Sequence, residues 1–212
     1  IDNINVFQKN RLGISESLEG GQSLTLGAEY NINQINGSNI LKINLAQIYR
    51  DNNDNNLPTT STMNNKISDL FGDVKLNTNK YLNFEYNFSL DNDLETLNYN
   101  MIKSTLSVNN FVTTFEFLEE NNEIGNASYL LNETSLALNS HSKILFRERK
   151  NKKTDLREFY NLMYQYENDC LVASLEYNKD YYSDRDLKPS EELFFSLTIT
   201  PLSTFNTPSL SK

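Results

Sequence analysis

The sequence predicts an all-β fold, an antiparallel transmembrane β-barrel of which this chain carries about eleven strands. Apolar and polar residues alternate along segment after segment, and this period of two places them on opposite faces of a strand. The segments are about nine to twelve residues long, enough to span a bilayer when tilted. Strands of soluble β-proteins are usually nearer five or six residues. The connections also alternate between short and long, as in outer-membrane barrels.

The first five predicted strands are separated by polar turns. Lys80–Leu90 alternates without interruption, and the two-residue step Thr78-Asn79 joins it to the preceding strand as a hairpin. A long polar loop, Asp51–Asn65, precedes that hairpin. The five strands are Ser23–Ile32, Asn39–Arg50, Ser68–Asn77, Lys80–Leu90 and Leu94–Val108.

The second half of the chain continues the pattern. Phe111–Glu119, Ala127–Asn139 and Lys143–Lys150 precede three strands whose apolar residues share one face. The apolar phase slips between Met101 and Ile102 and again between Leu131 and Leu136, and either slip is a candidate β-bulge, because a bulge adds one residue to one strand. The apolar residues of the last three strands are Tyr160, Leu162, Tyr164 and Tyr166, then Leu171, Ala173, Leu175 and Tyr177, then Leu193, Phe195, Leu197 and Ile199.

The connection lengths predict which strand ends face the periplasm. The joints Ser183–Glu192 and Asp51–Ile67 are long, whereas Thr78–Asn79 and Asn168–Asp169 are short. Short turns are periplasmic in outer-membrane barrels, so we expect Cys170 to lie at a periplasmic turn. An odd strand number is typical of part of a barrel, since single-chain bacterial barrels have an even number. Because no signal peptide opens the sequence, we expect a fragment or a mature piece.

Composition excludes several kinds of function. A formal charge of −9 and a pI near 4.7 give no support to nucleic-acid binding. No apolar run of 18 residues predicts a transmembrane helix. One cysteine and one histidine without a nucleophile motif indicate no enzyme, no metal site and no cofactor, and His141 is expected to be a solvated turn residue. Tyrosines near strand ends suit the aromatic girdles of a membrane interface: Tyr30, Tyr49, Tyr81, Tyr160 and Tyr177.

A basic cluster interrupts this acidic chain, formed by Arg147, Arg149, Lys150, Lys152 and Lys153. Arginine and lysine pair with phosphate oxygens, so a cluster on the outside face is a candidate contact for lipid phosphates. The alternative is a solvated loop whose charge is balanced by Glu148 and Asp155.

The last third carries a specific series of motifs. In Phe159–Leu202 a strand ending in tyrosine leads through an amide and acidic pair to Cys170-Leu171 and a second alternating strand. The run Tyr-Tyr-x-Asp-Arg-Asp-x-x-Pro at 181–189 and a last strand with Phe194-Phe195 follow. This series resembles the C-terminal end of the LptD family of outer-membrane lipopolysaccharide-assembly proteins. Asn10–Gly13 with Glu19–Gly21, and Ile67–Gly72, are similar to two further segments of the family, whereas 98–158 matches only as generic barrel strands.

The resemblance implies a barrel translocon that inserts lipopolysaccharide into the outer leaflet of the outer membrane. Residues 1–205 would be the C-terminal strands of a larger barrel and residues 206–212 a short tail. The implied partners are lipopolysaccharide, an LptE-like lipoprotein plug in the lumen, and periplasmic bridge proteins of the LptA and LptC type that contact an N-terminal domain. The last strand, with Leu193, Phe195, Leu197 and Ile199, would be one lip of a lateral gate, and Cys170 would form a disulfide with the N-terminal region.

Two other interpretations are compatible with the same alternation of apolar and polar residues. A porin or receptor barrel for small solutes would complete its barrel within one chain and would not need Cys170. A soluble β-sandwich binding module would pack its apolar faces against each other in two layers. An outer-membrane hydrolase is less well supported, since it would depend on His141 alone.

Overall fold

The computed structural model describes residues 5–8, 11, 19–35, 39–54, 64–78, 81–121, 127–181, 188–199, 203–206 and 210–211. These residues form eleven long strands of nine to twelve residues and two short ones. In the described part of the chain, no helix is long and apolar enough to cross a membrane. The strands are β1 Ser23–Asn33, β2 Asn39–Arg50, β3 Leu70–Thr78, β4 Leu82–Leu90, β5 Leu97–Val108, β6 Phe111–Glu120, β7 Ser128–Ala137, β8 Ser142–Asn151, β9 Leu156–Glu167, β10 Leu171–Asp180, β11 Ser190–Ile199, β12 Ser203–Asn206 and β13 Leu210–Ser211.

The prediction of an all-β, antiparallel fold is confirmed. Each strand from β1 to β12 is hydrogen-bonded to its neighbours in chain order, and β13 pairs with β11. The chain divides into two compact units, with a boundary that runs across the β5–β6 hairpin. Unit 1 contains Ile1–Ser104 and Phe117–Ala127, and unit 2 contains Thr105–Glu116 and Ser128–Lys212.

In unit 1 the strand registers separate apolar from polar residues onto two faces. One row across β1 to β4 joins Tyr30, Ile43, Val74 and Tyr86. The adjacent row, one residue away on each strand, joins Asn31, Lys42, Lys75 and Glu85. We call these two sides the apolar face and the polar face.

Unit 2 has the same two faces. On the apolar face, Ile144, Tyr164, Leu175 and Phe195 form one row across β8 to β11. On the polar face, Arg147, Asn161, Asn178 and Glu192 form a corresponding row. The faces predicted for the last three strands are therefore confirmed residue by residue.

The apolar face is exposed within each unit. Leu26 on β1 retains 54% of its accessible surface and Phe195 on β11 retains 45%. A β-sandwich would bury such residues between two sheets. Neither unit by itself therefore has the two packed layers of the alternative β-sandwich, whereas an apolar face open to its surroundings is what a lipid-facing sheet needs.

The β-bulge expected between Leu131 and Leu136 is absent from the β7–β8 pairing, which runs unbroken from Tyr129–Asn151 to Ala137–Lys143. Leu131 instead lies on the polar face, opposite Arg149. The register shift in this part of unit 2 falls between β8 and β9, where Glu158 is the extra residue. A bulge depends on the pairing of two strands, so the phase of one strand did not reveal it.

The alternation of connection lengths is confirmed in outline. The connections 51–69, 91–96, 121–127 and 181–189 share one end of the strands, and the short turns 79–81, 109–110 and 168–170 share the other. We call these the long-loop end and the short-turn end. The turns 138–141 and 152–155 lie at opposite ends and are equally short, so the asymmetry is lost around β8.

Candidate functional site

A groove crosses the polar face of unit 2. This open groove has a volume of about 630 Å³. It is lined by charged and amide side chains of β7 to β10 and by an apolar wall that includes Leu145 and Met163. The Arg147 Nε atom lies 2.7 Å from the Glu133 carboxylate, and its guanidinium stacks over the Phe159 ring at 5.6 Å. The polar lining also includes Asn161, Glu176 and Asn178, and the Asn161 amide donates hydrogen bonds to both of the others.

The polar face of unit 1 is also charged and paired. Asn44 donates to both carboxylate oxygens of Asp73 at 3.0 Å. Lys42 pairs with Glu29 at 2.9 Å, and Lys75 with Glu85 at 3.0 Å. A second hollow of about 430 Å³ lies among these residues. Placing such ion pairs beside water costs little free energy, whereas placing them in hydrocarbon costs a great deal, so this face is suited to water and not to lipid chains.

A small buried cluster interrupts the polar face of unit 1. Val6 and Ile48 are fully buried, and Ala46 and Phe71 are at most 5% exposed. The segment 5–8 therefore covers the polar side of β2 and β3. Gly27 on β1 allows this close approach, because a Cβ atom there would lie 2.4 Å from the Phe7 ring. The sequence contains a signal for this buried cluster, because Ile48 and Phe71 are apolar residues at positions where their strands otherwise carry polar ones.

An ion triad fastens this covering to the sheet. One carboxylate oxygen of Glu19 lies 2.9 Å from Arg11 and 3.0 Å from Arg50, and the three side chains are at most 12% exposed. Arg11 also donates to the hydroxyls of Ser23 and Thr25. Burial, opposed by the Glu19 charge, lowers the pKa of the Arg11 guanidinium from its ordinary value. The triad holds Arg11, which lies before β1, against β1 and the end of β2.

The basic cluster separates into different environments. Arg147 and Arg149 lie on the polar face, where Arg149 sits 2.7 Å from Glu158 and 4.3 Å above the Tyr129 ring. Lys150 lies on the opposite face and pairs with Asp155 at 2.6 Å, and this hydrogen bond lowers the pKa of Asp155. Lys152 and Lys153 are exposed in the turn. Asp155 balances the charge of the cluster as expected, because it pairs with Lys150. Glu148, the second acidic residue expected to do this, pairs instead with Arg157, which is not part of the cluster.

Cys170 lies in the tight β9–β10 turn at the short-turn end, as predicted. The Asn168 side-chain oxygen accepts hydrogen bonds from the backbone amides of Cys170 at 3.0 Å and Leu171 at 2.9 Å. The thiol is exposed and free, and the chain has no second cysteine with which to pair. His141 is exposed in the neighbouring turn, with Nδ1 3.0 Å from the Glu167 carbonyl oxygen.

The gate residues predicted on β11 lie on the apolar face, as a single row along the strand: Leu193, Phe195, Leu197 and Ile199. One edge of β11 pairs with β10 over its full length. In the described part of the chain, its other edge pairs with β12 at Ser196–Ile199 and with β13 at Glu192 and Leu193.

The model of the LptD family, described as LPS transport system D, matches residues 1–167. No curated protein matches the chain. The match includes residues 98–158, where we recognised only generic strands, and ends before most of the C-terminal run that carried the resemblance. The Asp-Arg-Asp part of that run lies outside the described residues. With most of its length matched and its strands arranged as a two-faced antiparallel sheet, the chain belongs to the LptD family, outer-membrane proteins of lipopolysaccharide transport and assembly.

Proposed function

We propose that this chain forms part of the wall of a barrel translocon that inserts lipopolysaccharide into the outer leaflet. The observation that carries the proposal is the division of each unit into an exposed apolar face and a charged polar face. The apolar face meets lipid, and the polar face lines the lumen along which the sugar part of the molecule passes. No catalytic step is needed for this task.

The lumen argument rests on the pairing of charges across strands. Lys42 with Glu29 and Arg147 with Glu133 hold their partners across the polar face, and each side chain keeps at least a third of its surface exposed. A sugar chain with many hydroxyls exchanges hydrogen bonds with such a surface at little net cost, as water does. Acyl chains gain nothing there, so they partition to the other side of the sheet.

The gate argument rests on β11. Opening a seam between strands leaves backbone amides and carbonyls unpaired, which costs on the order of several kcal/mol for each group that faces hydrocarbon. The continuous apolar row along β11 supports its role as one lip of a lateral gate, with Phe195 and Ile199 toward the departing acyl chains.

Membership of the family supports a proposal for the partners. The lumen would receive an LptE-like lipoprotein plug, and bridge proteins of the LptA and LptC type would deliver the lipid through an N-terminal domain. Cys170, exposed at the short-turn end, is accessible for a disulfide with that domain in an oxidising periplasm.

Site-specific photo-crosslinking of the complete protein in cells tests this function. A photoreactive residue replaces Phe195 on β11 or, as a control, Leu26 on β1; both positions lie on the apolar face and are about half exposed. We expect crosslinks from position 195 to newly made lipopolysaccharide only while the periplasmic bridge is supplied with energy. Crosslinks from position 26 should not depend on that supply.

If crosslinks at both positions depended equally on the energy supply, or if neither did, β11 would not be one lip of the gate. Depletion of the protein tests the broader function, because lipopolysaccharide should then stop reaching the cell surface. If its arrival continued while uptake of small solutes slowed, the porin alternative would replace the translocon.

A further inference from the structure

The apolar face of unit 2 ends abruptly in a charged row at the long-loop end. Successive rows across β8 to β11 read Ile144, Tyr164, Leu175 and Phe195, then Phe146, Leu162, Tyr177 and Leu193, then Glu148, Tyr160, Lys179 and Glu191. Rows on one face are about 6.6 Å apart along a strand. The change from hydrocarbon-like to ionic side chains thus occurs within a single step.

The β-bulge adds a second cation to this edge. Because Glu158 is the extra residue, Arg157 lies opposite Lys150 on the apolar face instead of pointing to the polar side. Its guanidinium Nε lies 2.6 Å from Glu148. Bulges commonly redirect a side chain at the rim of a barrel. Here the bulge places Arg157 beside Lys150, one row beyond Lys179 on the same face.

Tyrosines surround these cations. The Tyr160 ring packs against Tyr177 at 5.8 Å and against Tyr181 at 6.0 Å, and the Lys179 ammonium lies 5.3 Å from the Tyr181 ring centre. Tyrosine clusters of this kind sit at the boundary between hydrocarbon and headgroups, where an apolar ring and a polar hydroxyl are both accommodated. The tyrosines therefore set the level of the cations at the headgroup layer.

The charge balance of this edge differs from that of the protein. The apolar-face end and its turn hold five basic side chains, Lys150, Lys152, Lys153, Arg157 and Lys179, against three carboxylates, Glu148, Asp155 and Glu191. The whole chain carries −9. The ion pairs here are partly exposed, and such pairs contribute little net stability, so a stronger anion can replace the carboxylates. A phosphate group, with up to two charges and several acceptor oxygens, is such an anion.

We propose that this tyrosine-rimmed basic edge is a docking site for the phosphorylated headgroup of an outer-leaflet lipid, with the acyl chains lying on the apolar rows beneath it. The continuity of the charged row with the exposed apolar face selects a lipid over a soluble phosphate compound. The inference rests on the proposed function only in placing the long-loop end at the outer leaflet. It goes beyond that function because the site lies on the lipid-facing side of the sheet, away from the lumen.

Two triple variants of the complete protein test the site. The first, Lys150→Gln/Arg157→Gln/Lys179→Gln, removes the cations. The second, Glu148→Gln/Asp155→Asn/Glu191→Gln, removes their carboxylate partners from the same surface and is its matched counterpart. Each protein is placed in phosphatidylcholine nanodiscs with a fixed fraction of bisphosphorylated lipid A, extracted into mild detergent, and the retained lipid A is counted by mass spectrometry. Heat-dependent gel mobility verifies that each barrel is folded.

We expect the cation variant to retain at least about fivefold less lipid A, because charge-assisted bonds to phosphate are lost. The carboxylate variant should retain as much as the parent protein or more. Lipid A stripped of its phosphates should be retained weakly and equally by all three proteins.

Equal losses in both variants would mean that the ion pairs act only on the fold, and the proposal would be withdrawn. Displacement of the lipid by millimolar inorganic phosphate alone would overturn the assignment to a lipid. Delivery of lipopolysaccharide to the cell surface is measured separately. Loss of lipid A retention in the parent protein with normal delivery would overturn the docking site and leave the translocon function intact. Failed delivery by the parent protein with normal, cation-dependent retention would overturn the translocon function and leave the docking site intact.

Discussion

Truncation of Ile48 tests whether the segment 5–8 is part of the folded wall. Ile48 is fully buried against Val6, Ala46 and Phe71 on the polar face. Ile48→Ala removes three buried carbons, worth about 2.4 kcal/mol at roughly 0.8 kcal/mol each. The cavity that remains raises the expected loss in the free energy of unfolding to about 3–4 kcal/mol. Ile43 on the same strand is the matched control, because it lies on the apolar face where lipid chains replace the lost contacts, so Ile43→Ala should cost about 1 kcal/mol or less.

Guanidinium chloride titration of the complete protein, folded in phospholipid vesicles and followed by gel mobility, measures both losses. A cysteine in place of the fully buried Val6, in a Cys170→Ser background, reports on this segment, since release of the segment should speed the reaction of that cysteine with a membrane-impermeant maleimide. We expect faster labelling in the Ile48→Ala background only. Equal costs for the two truncations, or labelling that does not change, would refute the view that this segment is docked on the polar face.

Three further predictions follow from the ion pairs and the free thiol. Glu19→Gln should lower the free energy of unfolding by about 3–5 kcal/mol, because it removes the carboxylate from two buried guanidiniums. Glu85→Gln, whose ion pair with Lys75 is partly exposed, should lower it by less than about 1 kcal/mol. Urea titration measures both losses. The pKa of Asp155 is lowered by its hydrogen bond to Lys150, so the contact is complete above the ordinary aspartate pKa of about 4 and is lost as pH falls through the lowered value. Hydrogen exchange in the turn should rise only in that acidic range, and Asp155→Asn should abolish the dependence. Cys170→Ser should change the mobility of the oxidised, complete protein on non-reducing gels, and unchanged mobility would exclude the proposed disulfide.

Much of the fold could be predicted because a strand's two faces are encoded in adjacent residues. Tyr164, Leu175 and Phe195 lie in one row as their alternation required. The bulge could not be predicted in the same way. The phase slip in β7 depends on counting Leu131 as an apolar-face residue, whereas Leu131 lies on the polar face opposite Arg149. The bulge at Glu158 leaves no comparable break in the apolar alternation of β9.

The candidate site was predicted less well than the fold, for a physical reason. Five basic residues close together in sequence suggested one cluster, but alternation and the bulge send Arg147 and Arg149 to one face and Lys150 to the other. Arg157 and Lys179, which complete the basic edge, are separated from Lys150 by turns and strand pairing. Neighbours in sequence within a strand point apart, and neighbours in space are set by register.

The sequence by itself determined that this protein is a two-faced antiparallel sheet and that its strands are long enough for a membrane. These properties depend on a period of two and on segment length, both of which are local. Only the tertiary structure decided that Ile48 is buried on the polar face and that Arg11, Glu19 and Arg50 share one ion triad. Those contacts join residues far apart in the chain, and their formation depends on which segment covers which strand. No local pattern carries that information, because burial and charge pairing are properties of surfaces brought together by folding.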